Sequence, residues 1–316
     1  MIVLNGIDNV PPAARGAVLA IGNFDGVHRG HQALLRAARE EAARQGVPAG
    51  AILFEPHPRE FFQPDKPHFR LTPIERKLAL LEQFGLDLSV VLTFDAGLAG
   101  LSANDFIERV IAGALAARHV VIGYDFRFGK GRTGDPEAMR REGGARGFGV
   151  TVVAQVGEAG EVFSSNAIRA ELAQGDVSGA AQMLGHWWRL SGRVIGGFKR
   201  GAGLGFPTAN IALPPGTALA HGIYAVRVRV GTELYAGAAY LGTRPTFDDG
   251  APMLEVFLFG FDGDLYGKEI AVEFIAYVRA DAKFASAEAL TDQIAKDCVR
   301  AQTILDTAPD GPRKER

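Results

Sequence analysis

The hydrophobic period of this chain changes once, near Gly185, and two fold classes follow from that change. From Ala17 onward, short apolar runs alternate with helical patterns. The runs are AVLAIG (17–22), AGAILFEP (49–56), LSVVLTF (88–94), HVVIGYDF (119–126) and VTVVAQV (150–156). Between the first two, HQALLRAAREEAARQG reads as a helix closed by Gly46 and Pro48. Thr72 as N-cap, Pro73 at the first helical position and Glu75 reaching back predict a second helix, ending at Gly85. Ser102 predicts a cap for a helix through Ala117, and Asp135 with Pro136 opens another. Such alternation predicts a parallel sheet covered on both faces. After Gly185 the period becomes two. Tyr224, Val226, Val228 and Val230 share one face of GIYAVRVRVG, with Arg227 and Arg229 on the other. EIAVEFIAYVR, LYAGAAYLG and MLEVFLFGF are further strands, separated by Gly- and Pro-rich turns. That pattern predicts a small antiparallel barrel or sandwich. A last helix starts at Ser286, with Leu290, Ile294, Ala301 and Ile304 on its inner face. The expected domains are 1–185 and 186–308, followed by a frayed tail, 309–316.

Composition narrows the function classes. The 34 basic and 36 acidic residues leave a net charge of -2, which is no footprint for a nucleic-acid or membrane-surface binder. The single cysteine, Cys298, excludes an internal disulfide or thiolate cluster and reads as a helix residue in a reducing compartment. No basic leader precedes an apolar core, and no apolar run approaches the roughly 18 residues of a spanning helix. A cytoplasmic location is the expectation.

GNFDGVHRGH (22–31) ends the first strand and opens the first helix. Gly22, Gly26 and Gly30 allow close backbone approach, and His28 and His31 point the same way if the helix begins near them. A helix N-terminus offers oriented N–H groups and partial positive charge to phosphate. A bare H-x-G-H string is open to a structural reading, and the strand–loop–helix context favours the phosphate one. FEPHPRE (54–60), YDFRFGKGRTGD (124–135), FSSNAIR (163–169) and the weaker TFDAG (93–97) are further polar clusters. All four follow apolar strands of the same half. In a parallel sheet, strand ends share one edge. Arg127, Lys130 and Arg132 suit a triphosphate; Ser164, Ser165 and Asn166 read either as helix caps or as phosphate donors. His57 has no identifiable metal partners.

In the second half, GRVIGGFKRGAGLGFPTAN (192–210) holds Gly196, Gly197, Gly201, Gly203 and Gly205 with Lys199 and Arg200. Such a loop can wrap phosphates, though it lacks the G-K-[ST] ending of a Walker A loop. Pro207 leads into Thr208 and Asn210, hard oxygen donors of the type Mg²⁺ accepts beside substrate phosphates. Glu255 taken alone reads as a strand glutamate. The 262–269 hairpin reads as structural, and Arg244 is open to phosphate or solvent.

Together, in order and spacing, these strings resemble the prokaryotic bifunctional riboflavin kinase/FMN adenylyltransferase family over nearly the whole chain. They are joined by LTPIERK, GFPTANI, GTRPTF, FDGDLYGK and VRADAKF. The resemblance implies a Rossmann-like nucleotidyltransferase domain followed by a six-stranded Greek-key barrel with a C-terminal helix. It implies conversion of riboflavin and ATP to FMN, then of FMN and ATP to FAD and pyrophosphate, with Mg²⁺ in both steps. The partners are then small molecules: riboflavin, FMN and ATP. It assigns Gly22, Phe24, Asp25, His28, His31, Asp125, Arg127, Arg132, Ser164, Ser165 and Arg169 to the adenylyltransferase site. His28 and His31 are its catalytic pair. It assigns Gly197, Lys199, Arg200, Gly201, Gly205, Pro207, Thr208 and Asn210 to the kinase phosphate site, with metal at Thr208 and Asn210. Glu255 becomes the kinase base, and Arg279 falls near the flavin ring.

The sequence departs from the family pattern at four positions. Asn166 stands for the usual Thr, Ala202 for a basic residue, Tyr240 for Asn and Phe257 for His. A single-activity member, a non-catalytic flavin binder and a tRNA-synthetase relative are competing readings. Intact His28, His31, Thr208, Asn210 and Glu255 argue against the first two, and chain length with neutral charge against the third.

Overall fold

The computed structural model describes residues 1–158, 160–196, 208–243 and 252–311. Its contacts divide the chain into two compact units, Met1–Ser165 and Asn166–Arg316.

The first unit is built on β1 (Ile2–Asn5), β2 (Val18–Ile21), β3 (Ala49–Glu55), β4 (Leu88–Thr93), β5 (His119–Gly123) and β6 (Gly149–Val153). They form one sheet in the order β1-β4-β3-β2-β5-β6, with every neighbouring pair parallel. Alternate residues feed opposite faces, as a period-two backbone requires. Val18, Ala20, Ala51 and Leu53 pack with Leu35, Ala38 and Ala42 of α1 (Arg29–Gln45) and Leu80 and Leu81 of α3 (Ile74–Gln83). Leu19, Ile21, Ile52 and Val120 pack with Phe106, Ile107, Val110 and Met139 on the other face. Met139 belongs to α6 (Pro136–Arg146). Short helices α2 (Pro58–Phe62), α4 (Ala96–Gly100) and α5 (Ala103–Asp105) complete the connections. From β2 the chain winds outward through β3 to β4, then restarts on the other side of β2 with β5 and β6. The order therefore reverses between β2 and β5. Ligands bind at such a switch point, and the GNFDG and YDFRF loops leave those two strands.

The second unit begins with α7, whose range Ser165–Gln174 starts on the last residue of the first unit, and α8 (Val177–Leu184). A two-residue hairpin pair, β7 (Gly157–Glu158) and β8 (Glu161–Val162), precedes them in the first unit. The barrel comprises β9 (Arg189–Arg193), β10 (Ala209–Ala212), β11 (Gly222–Val230), β12 (Glu233–Thr243), β13 (Pro252–Leu258) and β14 (Glu269–Arg279). Their order, β10-β13-β12-β11-β14-β9, is antiparallel throughout. β14 returns beside β11 after the β11-β12-β13 meander, which is a Greek key. Ile195 N donates to Asn210 O at 2.9 Å, bringing the two edge strands together and nearly closing the barrel. Tyr224, Val226 and Val228 are fully buried, as their alternation predicts. Ser286 caps α9 (Ala287–Thr307), whose Ala301 and Leu305 pack on Ala225 and Ile275. Cys298 is a half-buried residue of α9. No helix among the described residues is long and apolar enough to cross a membrane.

Several local expectations need correction. β1 extends the parallel sheet beyond the five expected strands. α1 begins at Arg29, because His28 caps it. Thr72 does not cap α3: Pro73 occupies that position without a side-chain bond, and Thr72 N is instead held by Asp25 Oδ1 at 3.1 Å. After the short α5 the helix does not continue in α geometry. It widens over Phe106–Ala114 into π turns, with Leu115 N reaching Val110 O at 3.1 Å.

Candidate active sites

In the first unit the site grows from the end of β2. Gly26 takes φ +89°, which glycine adopts without strain, and Phe24 and Val27 also sit at positive φ. The turn delivers His28 to the head of α1, where its Nδ1 accepts from His31 N at 3.3 Å. A neutral His28 therefore carries its proton on Nε2. The two imidazoles stack, centroids 3.7 Å apart and planes at 23°, with the Phe24 ring 5.1 Å from His31. A Cβ at position 30 would meet the His28 ring at 3.1 Å and Phe163 O at 3.2 Å, so a side chain there would press the ring and that carbonyl aside by a few tenths of an ångström. Burial, then the neighbouring charges of His28 and Lys77, hold the His31 pKa well below its usual value. His31 is therefore neutral at neutral pH.

The serine loop meets the histidine loop here. Ser165 Oγ donates to Asp25 O at 2.8 Å, and Arg29 lies 4.6 Å over the Phe163 ring. Asp25 is buried and acts as a tie: its carboxylate accepts from Leu71 N at 3.2 Å and Thr72 N at 3.1 Å. Gly22 lies against the Phe24 ring. Asp125, Arg127 and Arg132 occupy the adjacent loop after β5, all exposed, with Arg127 3.5 Å from Asp135. Arg169 falls in the second unit and donates to Asn166 Oδ1 at 3.3 Å.

Sequence reasoning passed over three features of this edge. Arg70 bridges Glu55 and Glu60, and that hydrogen bonding holds the Glu60 carboxyl below its usual range. Phe61, Phe62 and Phe94 form an edge-to-face cluster with 5.2–5.7 Å centroid separations, and Phe62 is 65% exposed. Asn23 Oδ1, His31 Nδ1 and Glu55 Oε2 are buried with no hydrogen-bond partner. The His57 and His68 rings lie 4.5 Å apart with their planes tilted by 32°. Among the described residues there is no cluster of three or more His, Cys, Asp or Glu able to hold a metal.

In the second unit, register assembles the site. Asn210 on β10 lies opposite Glu255 on β13, and Tyr240 on β12 lies opposite Glu255 from the other side. The alternation along β13 buries Leu254, Val256 and Leu258 and leaves Glu255 and Phe257 half-buried on the other face. Asn210 is buried, and its Nδ2 donates to Thr208 O at 3.4 Å, which fixes the amide. Tyr240 donates to Asp281 Oδ2 at 3.0 Å. Arg279 binds Asp297 of α9 at 2.7–3.1 Å and gives its Nη1 to Ala280 O. Its guanidinium thus anchors the segment that follows β14. Gly197, Lys199, Arg200, Gly201, Ala202, Gly203, Gly205, Pro207 and Arg244 lie outside the described residues.

Comparison with known proteins agrees with both halves. Residues 10–167 match the FAD synthetase family model and residues 184–305 the riboflavin kinase model. The chain is 40% identical to the bifunctional riboflavin kinase/FMN adenylyltransferase of Escherichia coli (strain K12), covering 96% of this chain and 98% of that one. It is 38% identical to the protein of the same name from Bacillus subtilis (strain 168), covering 89% and 90%. It superposes on a crystal structure described as a macrolide-efflux protein from Streptococcus pneumoniae with a TM-score of 0.85 and 27% identity. That match covers 98% of this chain and 100% of the other. With matched models over both units and relatives aligned nearly end to end, the chain belongs to the bifunctional riboflavin kinase/FMN adenylyltransferase family.

Proposed function

We propose that this chain phosphorylates riboflavin to FMN in its barrel unit and adenylylates FMN to FAD in its parallel-sheet unit. We draw the boundary between the two activities at 185/186, where Gly185 ends α8 in left-handed geometry. One observation carries the reading. A stacked histidine pair at a helix N-terminus and a strand glutamate in register with an asparagine occur together, one in each unit.

In adenylylation, an FMN phosphate oxygen forms a bond to the α-phosphorus of ATP, the bond to the β-phosphate oxygen breaks, and pyrophosphate leaves. Charge grows on the α-phosphate oxygens. His28 Nε2–H and the amide dipoles at the head of α1 stabilise it, with His31 beside them. The serine loop, tied to Asp25, brings Ser164 and Ser165 to the same face. Arg127 and Arg132 meet the outer phosphates, and the exposed phenylalanine cluster offers a flat ring a stacking surface.

In phosphorylation, the riboflavin 5′-hydroxyl attacks the γ-phosphorus, Glu255 takes its proton, and ADP leaves. Thr208 and Asn210 supply oxygen donors suited to Mg²⁺, an ion that binds through few protein ligands plus substrate phosphates. When bound, Mg²⁺ neutralises phosphate charge. Arg279 contributes by fixing the segment at 280–284 rather than by offering its own guanidinium.

The test crosses two variants of the full chain. His31→Ala should slow FMN to FAD by at least about 10²-fold and leave riboflavin to FMN intact. Glu255→Gln should lower FMN formation by about 10²–10⁴-fold and leave FAD synthesis from supplied FMN intact. Loss of both steps in either folded variant contradicts two separate sites.

A further inference from the structure

The barrel's register sets three polar side chains in one row. Asn210 of β10, Glu255 of β13 and Tyr240 of β12 lie directly opposite one another across adjacent antiparallel strands. Residues paired in this way stand on the same face, with Cβ atoms about 4.5–5.5 Å apart. Their sequence neighbours Ile211, Leu254 and Leu241 are buried on the other face. The row continues through Ile223 of β11 to Arg279 of β14, which Asp297 of α9 holds in place. Glu255 therefore has Asn210 on one side and Tyr240 on the other. Tyr240 is also one of the four positions where the chain departs from the family pattern. Its setting holds the phenol in a defined place. Tyr240 Oη donates to Asp281 Oδ2 at 3.0 Å, and Asp281 Oδ1 accepts from Ala282 N at 2.8 Å. The side chain lies along its own strand over Gly242. A Cβ at 242 would come within 2.0 Å of Tyr240 Oη and 2.3 Å of its Cζ, so a larger residue there would displace the phenol.

In phosphoryl transfer the leaving and attacking oxygens lie roughly in line on opposite sides of the phosphorus. With the ATP phosphates beside Asn210 and the base next in the row, the Tyr240 side is left to the attacking alcohol. We propose that Tyr240 is a specificity-determining residue for the acceptor of the kinase step. Its ring borders the path by which the riboflavin side chain reaches Glu255, and its bond to Asp281 fixes that ring. This rests on the reading of the second unit as the riboflavin kinase. The acceptor is a flat aromatic ring carrying a polyol tail, and only the terminal hydroxyl of that tail reacts. An aromatic wall tied at its hydroxyl limits the tail to approaches that bring the terminal hydroxyl to the carboxylate. Tyr240 therefore acts on acceptor binding and not on ATP, whose oxygen donors stand on the opposite side of Glu255.

The test uses the full chain carrying Tyr240→Ala, which removes ring and tie, and Tyr240→Phe, which keeps the ring and loses the tie. Tyr240→Ala should raise the KM for riboflavin in FMN formation by about ten-fold, the scale of one lost aromatic contact. The KM for ATP should stay within about two-fold, the scale of a surface change. Tyr240→Phe and Asp281→Ala should each raise the KM for riboflavin by a few-fold. Together they should add nothing further, because they break the same bond; additive effects contradict the tie. FAD formation from supplied FMN should hold at the parent level throughout. Tyr240→Leu, which fills the space without ring or hydroxyl, is read in the same way if the alanine chain does not fold. A KM for riboflavin within about two-fold of the parent overturns the proposal. So does an equal rise in both KM values, which would make Tyr240 a structural residue of the barrel. Glu255→Gln runs alongside: if it lowers FMN formation while the Tyr240 variants leave the KM for riboflavin unchanged, the inference fails and the kinase site stands. If Glu255→Gln leaves FMN formation intact, the site assignment fails and takes the inference with it.

Discussion

Asp25→Ala tests how the first site is held together. The Asp25 carboxylate spans from the β2–α1 loop to the entrance of α3, accepting two buried amides at 3.2 and 3.1 Å. Hydrogen bonds to a charged acceptor contribute about 1.5–3 kcal/mol each. These two lie at the long end of the usual range, so each is taken at about 1.5–2 kcal/mol. Leu71 and Thr72 are both nearly inaccessible, so alanine leaves their N–H groups without water to replace the lost acceptor. The expected loss is about 3–4 kcal/mol. At about 2–4 °C per kcal/mol for a unit of this size, that is roughly 6–16 °C in melting temperature. Asp25→Asn retains one acceptor and should lose about half as much. Hydrogen exchange read by mass spectrometry on peptides covering 69–76 should accelerate in the alanine variant. FAD formation should fall and FMN formation should not. Unchanged exchange at 69–76 with full FAD synthesis would refute the tie.

Two further outcomes follow from the structure. His31 is held below the usual histidine pKa chiefly by burial. Below about pH 6.5 the unfolded chain therefore gains a proton that the folded chain refuses, and stability falls as pH drops. His31→Gln should reduce that slope by up to about 1.4 kcal/mol per pH unit in urea titrations between pH 6.5 and 5. Arg279 and Asp297 form a bidentate pair with 22% and 7% side-chain exposure. Arg279→Met and Asp297→Asn should each cost about 2–3 kcal/mol, and a double-mutant cycle should show strong coupling rather than additivity.

What could be read from the sequence was what is local or periodic. The histidine pair was legible because His28 and His31 sit one helical turn apart at a strand-to-helix junction, and the structure stacks them there. The two fold classes were legible because burial imposes period two on Tyr224, Val226 and Val228 and compact apolar runs on β2 to β5. β1 escaped notice because IVLN is short and largely exposed at a sheet edge. β9 escaped because RLSGR carries only one fully buried residue. The wrong cap at Thr72 has the same origin as the unseen role of Asp25: the partners are 47 residues apart, and no local rule links them. The Arg70 bridge to Glu55 depends likewise on how separate elements meet. Glu255 could be placed on a strand from alternation alone, whereas its position opposite Asn210 and Tyr240 needed the register.

The most direct test of the central claim is to incubate the purified chain with riboflavin, ATP and Mg²⁺ and resolve the flavins by chromatography over time. FMN should appear first and FAD should follow at its expense. With His31→Ala the time course should stop at FMN, and with Glu255→Gln supplied FMN should still become FAD. A chain that forms neither flavin, or that makes FAD from riboflavin while Glu255→Gln and His31→Ala both leave it unchanged, contradicts the account.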